Sequence, residues 1–487
     1  MACPSRPGIR ALTAGVCSNA AMALIALLFA ARWLEVHGQG EGEASGRLGP
    51  SGSGGGNREA RLRKLREDEE LPLVWLDIAV NGTKVGRVEA VLYARKSPRA
   101  AENFRLLCSG ELGKDAEGKL LHFKGSWFYR IIYDFIDQTG ADADGIFGGH
   151  FHCDPGGLEL KHTHKGLLSM AHIGPNTNGG HFSIMMNSAH HLDGHHVVFG
   201  EVVAGLEVIQ AVNDLAKGRP NNELCCDTRL AQIVDAGQTR PGTYVSSPQY
   251  QAVIAAERRR VAWRNKQPPA EIERLRKSFL DEVLPLVYLD IAINGIYTGR
   301  MEFVLFVKEA PLASENFRLL CTGEAGNDPA GKPYHFKGIT FYRIIEDFID
   351  QAGAWVESPL GGQFLDDAGG LQLKHDRMGL LSIANMGPNT NGAHFSIMMS
   401  PQPHLNGKHT VFGEMVDGHD VAFAINALAH GRPKRELVHS KEVVVVGSGE
   451  LRRGSHWASP EFQSAIRNER QRIQAAAATN KAKGKLL

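Results

Sequence analysis

Cysteine is scarce: the chain has seven in 487 residues, scattered and with no C-x-x-C pair, which excludes a disulfide scaffold. An excess of charge of either sign is also lacking. With 54 Lys and Arg against 53 Asp and Glu, the basic surplus that drives phosphate binding is missing, and no nucleic-acid partner is expected. At 43% apolar and 22% charged residues, the chain is not a disordered polyelectrolyte and can bury a core. At about 150 residues per domain, its length calls for two to four domains.

Long apolar runs are confined to one place. No charge lies between Arg10 and Arg32, and Ala20 to Ala31 (AAMALIALLFAA) is densely apolar, preceded by Arg6 and Arg10. This pattern reads as a secretory h-region or a short signal anchor. The basic flank lies on its N-terminal side, so the positive-inside rule leaves the N-terminus cytosolic and the remainder lumenal or extracellular. The expectation is a protein of the secretory pathway, either lumenal or single-pass membrane anchored through this segment if it is uncleaved. Organelle targeting and secretion are the alternatives. A Gly/Ser-rich tether (Gly38 to Gly56) and a charge-alternating stretch (Asn57 to Glu70) follow.

The decisive feature is an internal repeat. FYRII begins at Phe128 and Phe341, GPNTNG at Gly174 and Gly387, VFGE at Val198 and Val411, and ENFRLLC at Glu102 and Glu315, each pair 213 residues apart. A constant offset this long means two tandem globular domains with a helical appendage each, not a solenoid. The predicted organisation is a signal peptide or anchor over 1–36, a linker over 37–70, a first domain over 71–240, a helical linker over 241–283, a second domain over 284–450, and a C-terminal helix with a basic tail over 451–487.

Within each unit the local signals are mostly those of strands. Leu73 to Tyr93 alternates apolar and polar residues around Asn81-Gly82, and Leu286 to Phe306 does so around Asn294-Gly295, a strong hairpin signal. Asn81-Gly82-Thr83 is also an N-glycosylation acceptor. A helix follows, with Ser97 as the expected cap, Pro98 in the first turn, Ala101, Phe104, Leu107 and Cys108 on one face, and Gly110 at its end. Cys108 and Cys321 are therefore expected as free core thiols. A second helix is predicted over Leu206 to Ala216. Many short strands with two helices suit a mainly β fold, a closed barrel with capped ends, repeated in tandem.

Three segments then carry a resemblance: FYRIIYDFIDQTG (Phe128 to Gly140), LLSMAHIGPNTNGGHFSI (Leu167 to Ile184) and LDGHHVVFGEV (Leu192 to Val202), with FYRIIEDFIDQAG, LLSIANMGPNTNGAHFSI and LNGKHTVFGEM in the second copy. They resemble the cyclophilins, peptidyl-prolyl cis-trans isomerases. The resemblance implies two closed eight-stranded antiparallel β-barrels, each capped by two α-helices, and proline-containing client polypeptides as partners. No cofactor or metal is implied, because rotation about an X-Pro bond needs neither. Its barrier of about 18–20 kcal/mol comes from amide resonance. Twisting localises a lone pair on the prolyl nitrogen, and a fixed guanidinium donating to it stabilises only the twisted state.

By the family motif, Arg130 and Arg343 match the catalytic arginine. Phe135, Ile136 and Leu192, with Phe348, Ile349 and Leu405, match part of the proline pocket. Gln138 and Gln351 match a glutamine that bonds the substrate backbone. Ala171-His172 and Ala384-Asn385 match the segment whose main chain pairs with the peptide, and His196 and His409 match the histidine at the rim. His172 departs from the usual asparagine. Three further departures occur in both copies: Ser183 and Ser396 replace a pocket phenylalanine, His181 and His394 replace a glutamine, and His191 and His404 replace the tryptophan that contacts cyclosporin. Losing the phenylalanine should weaken proline binding by about 1.5–3 kcal/mol. The expectation is weak cyclosporin binding and slow or selective isomerisation assisting protein folding. The alternative is a proline-peptide binding or scaffolding module that gains avidity from two copies.

The clusters His150, His152, Cys153 and His190, His191, His195, His196 raise a zinc reading. The second copy retains only His404 and His409 of the latter, with Gln363 and Leu365 in place of His150 and His152, so exposed loop histidines are the favoured account. A basic helix is read over Glu257 to Lys277, packing on its own barrel, and a solvated tail over Lys481 to Lys485.

Overall fold

The structure is a computed structural model that describes residues 55–115, 117–143, 145–225 and 229–484. The apolar run Ala20 to Ala31, most of the Gly/Ser tether and the end of the basic tail lie outside the described residues. Among the described residues no helix is long and apolar enough to cross a membrane.

After α1 (Gly55–Glu67) the first copy runs through β1 (Leu73–Val80), β2 (Thr83–Leu92), α2 (Pro98–Ser109), β3 (Arg130–Ile132), β4 (Ile136–Thr139), α3 (Pro155–Glu159), β5 (Leu167–Met170), β6 (Phe182–Met185), β7 (Val198–Ala204), α4 (Leu206–Asn213), β8 (Glu223–Cys225) and β9 (Ala231–Arg240). Helices α5 (Pro248–Arg264) and α6 (Pro269–Leu280) connect to the second copy. There the order is β10 (Leu286–Ile293), β11 (Ile296–Leu305), α7 (Pro311–Thr322), β12 (Arg343–Ile345), β13 (Ile349–Ala352), α8 (Ala368–Gln372), β14 (Leu380–Ile383), β15 (Phe395–Met398), β16 (Val411–Asp417), α9 (His419–Asn426), β17 (Glu436–Val438), β18 (Val443–Arg452) and α10 (Pro460–Gly484).

Each copy is one curled antiparallel sheet of nine strands, ordered β8-β3-β4-β6-β5-β7-β2-β1-β9, with the same order from β17 to β18 in the second. Nine strands stand where eight were expected. The additional strand is β8, which the chain forms after Asn221 and Asn222, at φ 56° and 49°, turn it back beside β3. At the other edge, β9 reaches the segment ahead of β3 through the isolated bridge Trp127–Gln232, repeated at Thr340–Val444.

The local predictions hold where the chemistry is local. Asn81 and Gly82 sit at φ 50° and 77°, and Asn294 and Gly295 at 52° and 77°, the left-handed pair a tight hairpin needs. Gly110 ends α2 at φ 66°, its N–H donating to Leu106 O. Ser97 does not cap with its side chain. Its hydroxyl donates to Val198 O at 2.7 Å, while Asp154 accepts from the Arg99 and Ala100 N–H groups at 3.2 and 2.9 Å. Cys108 and Cys321 are buried free thiols, and burial pushes both well up. Phe104 anchors the first core against Phe123, Phe182 and Phe199 at 5.1, 4.8 and 5.1 Å between ring centroids. Phe317 does the same in the second against Phe336, Phe395 and Phe412.

Two expectations about the linker change. The basic stretch is two helices, α5 and α6, because Pro268-Pro269 breaks it. Helix α5 packs on α2 of its own copy and also on β11 and α9 of the second. Arg260 donates to Asp417 at 3.0 Å, Arg259 to Thr298 O at 2.9 Å, and Trp263 stacks on His419 at 4.3 Å. His152 is correspondingly not an exposed loop histidine: it is 4% exposed, with Nε2 3.0 Å from Asp417 Oδ2. His190, His191 and His195 are exposed.

Candidate functional site

Strand register decides which side chains share a face, because residues directly opposite each other in an antiparallel pair point the same way. Arg130 lies opposite Gln138, Gln138 opposite Ser183, and Ser183 opposite Ser169. One pleat along, Ile132 lies opposite Ile136 and Ile136 opposite Met185. The outer face of β3, β4, β6 and β5 therefore carries a polar row beside an apolar row. The second copy repeats it with Arg343, Gln351, Ser396 and Ser382 beside Ile345, Ile349 and Met398.

The polar row is internally bonded. Gln138 Nε2 donates to Ser183 Oγ at 3.1 Å and Gln351 Nε2 to Ser396 Oγ at 3.0 Å, so each serine ties down the neighbouring glutamine. Arg130 and Arg343 side chains are 37% and 44% exposed. Each Nε donates to a glutamate that the motif reading missed, Glu223 Oε1 at 2.7 Å and Glu436 Oε1 at 2.6 Å. The available signal was a Glu-Leu pair at the repeat offset of 213 in otherwise unlike surroundings.

The apolar row continues into a cluster. Ile136, Leu167, Met185, Ala189 and Val198 are buried, with Phe135, Ile132 and Leu192 partly buried against them. Ile349, Leu380, Met398 and Val411 form the equivalent with Phe348, Ile345 and Leu405. Thus Phe135, Ile136 and Leu192 come together beside Arg130, as their counterparts do beside Arg343. His191 lies over Phe135 at 5.3 Å and His404 over Phe348 at 5.6 Å between centroids. His181 and His394 each place Nδ1 near a tyrosine hydroxyl, Tyr129 at 3.3 Å and Tyr342 at 3.2 Å.

At the segment expected to pair with a peptide the copies differ. The Ala171 and Ala384 N–H groups donate to His181 O and His394 O, both at 3.1 Å, extending the β5–β6 and β14–β15 ladders. His172 stacks on His196 at 4.3 Å and donates through Nε2 to His195 O, while His196 Nδ1 donates to Met170 O. Burial, then the neighbouring His196, lowers the His172 pKa to about 4, so the stacked rings are neutral near pH 7. In the second copy Asn385 donates instead to Asn391 Oδ1 at 3.1 Å, and His409 Nδ1 to Ile383 O.

The hairpin that bears Arg130, Phe135 and Gln138 is held from beneath. Asn213 Nδ2 donates to Ile132 O at 3.0 Å and Asp137 Oδ1 at 2.7 Å, and Asn213 Oδ1 accepts from Asp134 N at 2.8 Å. Asn426 repeats this with Ile345, Asp350 and Asp347. Asp137 and Asp350 are fully buried, each with Oδ2 lacking a partner. Burial raises both carboxyls well above their ordinary value of 3.8. A carboxyl raised by folding contributes stability below its unfolded pKa that is lost as pH climbs toward the raised value. The double variant Asp137→Asn, Asp350→Asn cannot ionise there, so its advantage over the parent in thermal melts should widen from pH 5 to pH 9. Parallel curves would show that these carboxyls do not titrate with folding.

Each copy is thus a curled antiparallel sheet packed by helices, with an arginine on its outer face beside an apolar cluster. The model of the cyclophilin type peptidyl-prolyl cis-trans isomerase/CLD family matches residues 75–232 and again residues 288–447. The chain belongs to this family and carries two tandem cyclophilin-like domains.

Proposed function

We propose that each domain, taken as residues 71–240 and 284–450, is a peptidyl-prolyl cis-trans isomerase that acts on X-Pro bonds of client polypeptides, slowly or selectively and with poor sensitivity to cyclosporin. The observation that carries this is the arginine beside an apolar patch on one sheet face, in both copies. Arg130 and Arg343 donate to the prolyl nitrogen as it pyramidalises, and the ring rests on Phe135, Ile136 and Leu192 or on Phe348, Ile349 and Leu405. The guanidinium stabilises the twisted amide more than the planar one, which is the condition for acceleration. Gln138 and Gln351 hold the substrate backbone, with the Ala171-His172 and Ala384-Asn385 segments alongside and His196 and His409 at the rim.

The serine at positions 183 and 396 favours a second reading, a module that holds proline-containing segments with little turnover. One assay separates them. Isomerisation of X-Pro peptides by the full chain should exceed background, fall partly with Arg130→Ala or Arg343→Ala, and fall by roughly two orders of magnitude or more with both. Peptide binding without any rate above background would leave only the binding module. The secretory localisation is part of this proposal and is supported by the sequence of the N-terminal segment.

A further inference from the structure

The catalytic assignment leaves a mechanical question, because an arginine on a sheet surface has many rotamers and is effective only if its donors are fixed in place. Glu223 opens β8 and lies opposite Ile132, while Cys225 lies opposite Arg130. Glu223 is thus on the same face as Arg130, at the diagonal position that long side chains span. On its other side Arg130 faces Gln138. The contact is a charge-assisted bond to Nε alone, 2.7 Å in the first copy and 2.6 Å in the second. Among the described residues neither guanidinium makes another hydrogen bond, so the terminal nitrogens remain for a substrate.

We propose that Glu223 and Glu436 are positioning residues for the isomerisation, an inference that rests on the isomerase reading above. By accepting from Nε, each carboxylate sets the plane of the guanidinium and turns its terminal N–H groups away from β8 or β17. A carboxylate so close offsets part of the positive charge, so its contribution comes from orientation and not from added field. Two features of the fold support the assignment. The pair recurs although the surrounding segments differ, Asn221-Asn222-Glu223-Leu224-Cys225 against Lys434-Arg435-Glu436-Leu437-Val438. It also gives a role to the three-residue strand by which each sheet exceeds eight strands.

The test uses the full chain with one site silenced, Arg343→Ala to read the first domain and Arg130→Ala to read the second. In the first background, Glu223→Ala should lower kcat on an X-Pro peptide roughly 10- to 100-fold with KM changed by less than about threefold. Glu223→Gln keeps an acceptor oxygen without the charge and should stay within about threefold of its parent in kcat. Glu436→Ala and Glu436→Gln should repeat this in the second background. An unchanged kcat in the alanine variants, or glutamine variants that fall as far as alanine, would overturn the proposal. Should an alanine variant fail to fold, solvent exchange of the Arg130 and Arg343 Nε protons in the unsubstituted chain decides. Slowed exchange is expected, and exchange as fast as in a free arginine overturns the pairing. A parent with no rate above background refutes the isomerase reading, and the same proton exchange still tests the pairing separately.

Discussion

Replacing Glu257 by alanine should destabilise the two-domain unit by about 3–5 kcal/mol, the usual consequence of leaving buried charges without their partner. Glu257 is 1% exposed and sits between Arg99 and Arg260, which are 6% and 4% exposed. It accepts from Arg99 Nε at 2.8 Å, Arg260 Nε at 2.9 Å and His152 N at 3.1 Å. Without it Arg99 retains Asp154 and the Tyr297 hydroxyl, and Arg260 retains Asp417 and the His150 carbonyl. Burial alone would push the Glu257 carboxyl up. The charges of Arg260, His152 and Arg99 outweigh burial and bring it down to about 2. A carboxyl lowered by folding contributes stability above its unfolded pKa and loses it as pH falls through the folded value, so this contribution disappears between about 4.5 and 2.

The network also joins the domains, since Arg260 and His152 both meet Asp417 at the end of β16. The same substitution should therefore broaden or split the calorimetric transition as well as lower it. Glu70→Ala, which breaks the exposed Arg95–Glu70 pair at 55% and 53% side-chain exposure, should leave the melting temperature unmoved. A Glu257→Ala chain that melts with its parent, in one equally sharp transition, would show that the helix is held by its apolar contacts instead.

The contrast between these two pairs indicates what a sequence can disclose. Signals acting over a few residues were legible: the Asn-Gly hairpins, the glycine that ends α2, the apolar face of that helix, and above all the 213-residue offset that doubles every motif. Features made by distant segments were not. Asp154 displaces Ser97 as the cap, reaching Arg99 and Ala100 from 55 and 54 residues away, because a carboxylate aimed at two free N–H groups is a stronger acceptor than a hydroxyl already donating elsewhere. Strand β8 has three residues, too few to show alternation. Pro268-Pro269 was visible, yet the charge pattern running through it read as one helix. Glu223 belongs to no motif, and only the fold brings it to Arg130, 93 residues away. The arginine, glutamine and apolar trio were legible because they sit on one hairpin and one loop whose order along the chain carries the family pattern.

The serine in the polar row leads to an expected gain of function. Ser183→Phe together with Ser396→Phe should tighten binding of X-Pro peptides by about 1.5–3 kcal/mol, roughly 10- to 100-fold. Position 183 lies on the face of β6 opposite that of Phe182 and Ile184, which are fully buried in the core, and is itself only 5% exposed and bonded to Gln138. A phenyl ring there adds apolar area on the face that carries Ile136 and has to displace the Gln138 side chain, so melting is followed alongside to show that the double variant folds. The substitution also removes the Gln138–Ser183 bond at 3.1 Å, a loss of about 0.5–1.5 kcal/mol in a typical case. That loss falls on the free protein, and in the complex the freed glutamine amide bonds the substrate backbone instead of the serine, so it does not count against binding. Binding therefore retains the apolar gain, and cyclosporin affinity should rise in parallel. Titration calorimetry of the double variant against the parent measures both ligands. A folded double variant that binds proline peptides no better would mean that the missing phenylalanine is not what limits this site, and that the polar row itself selects the substrate.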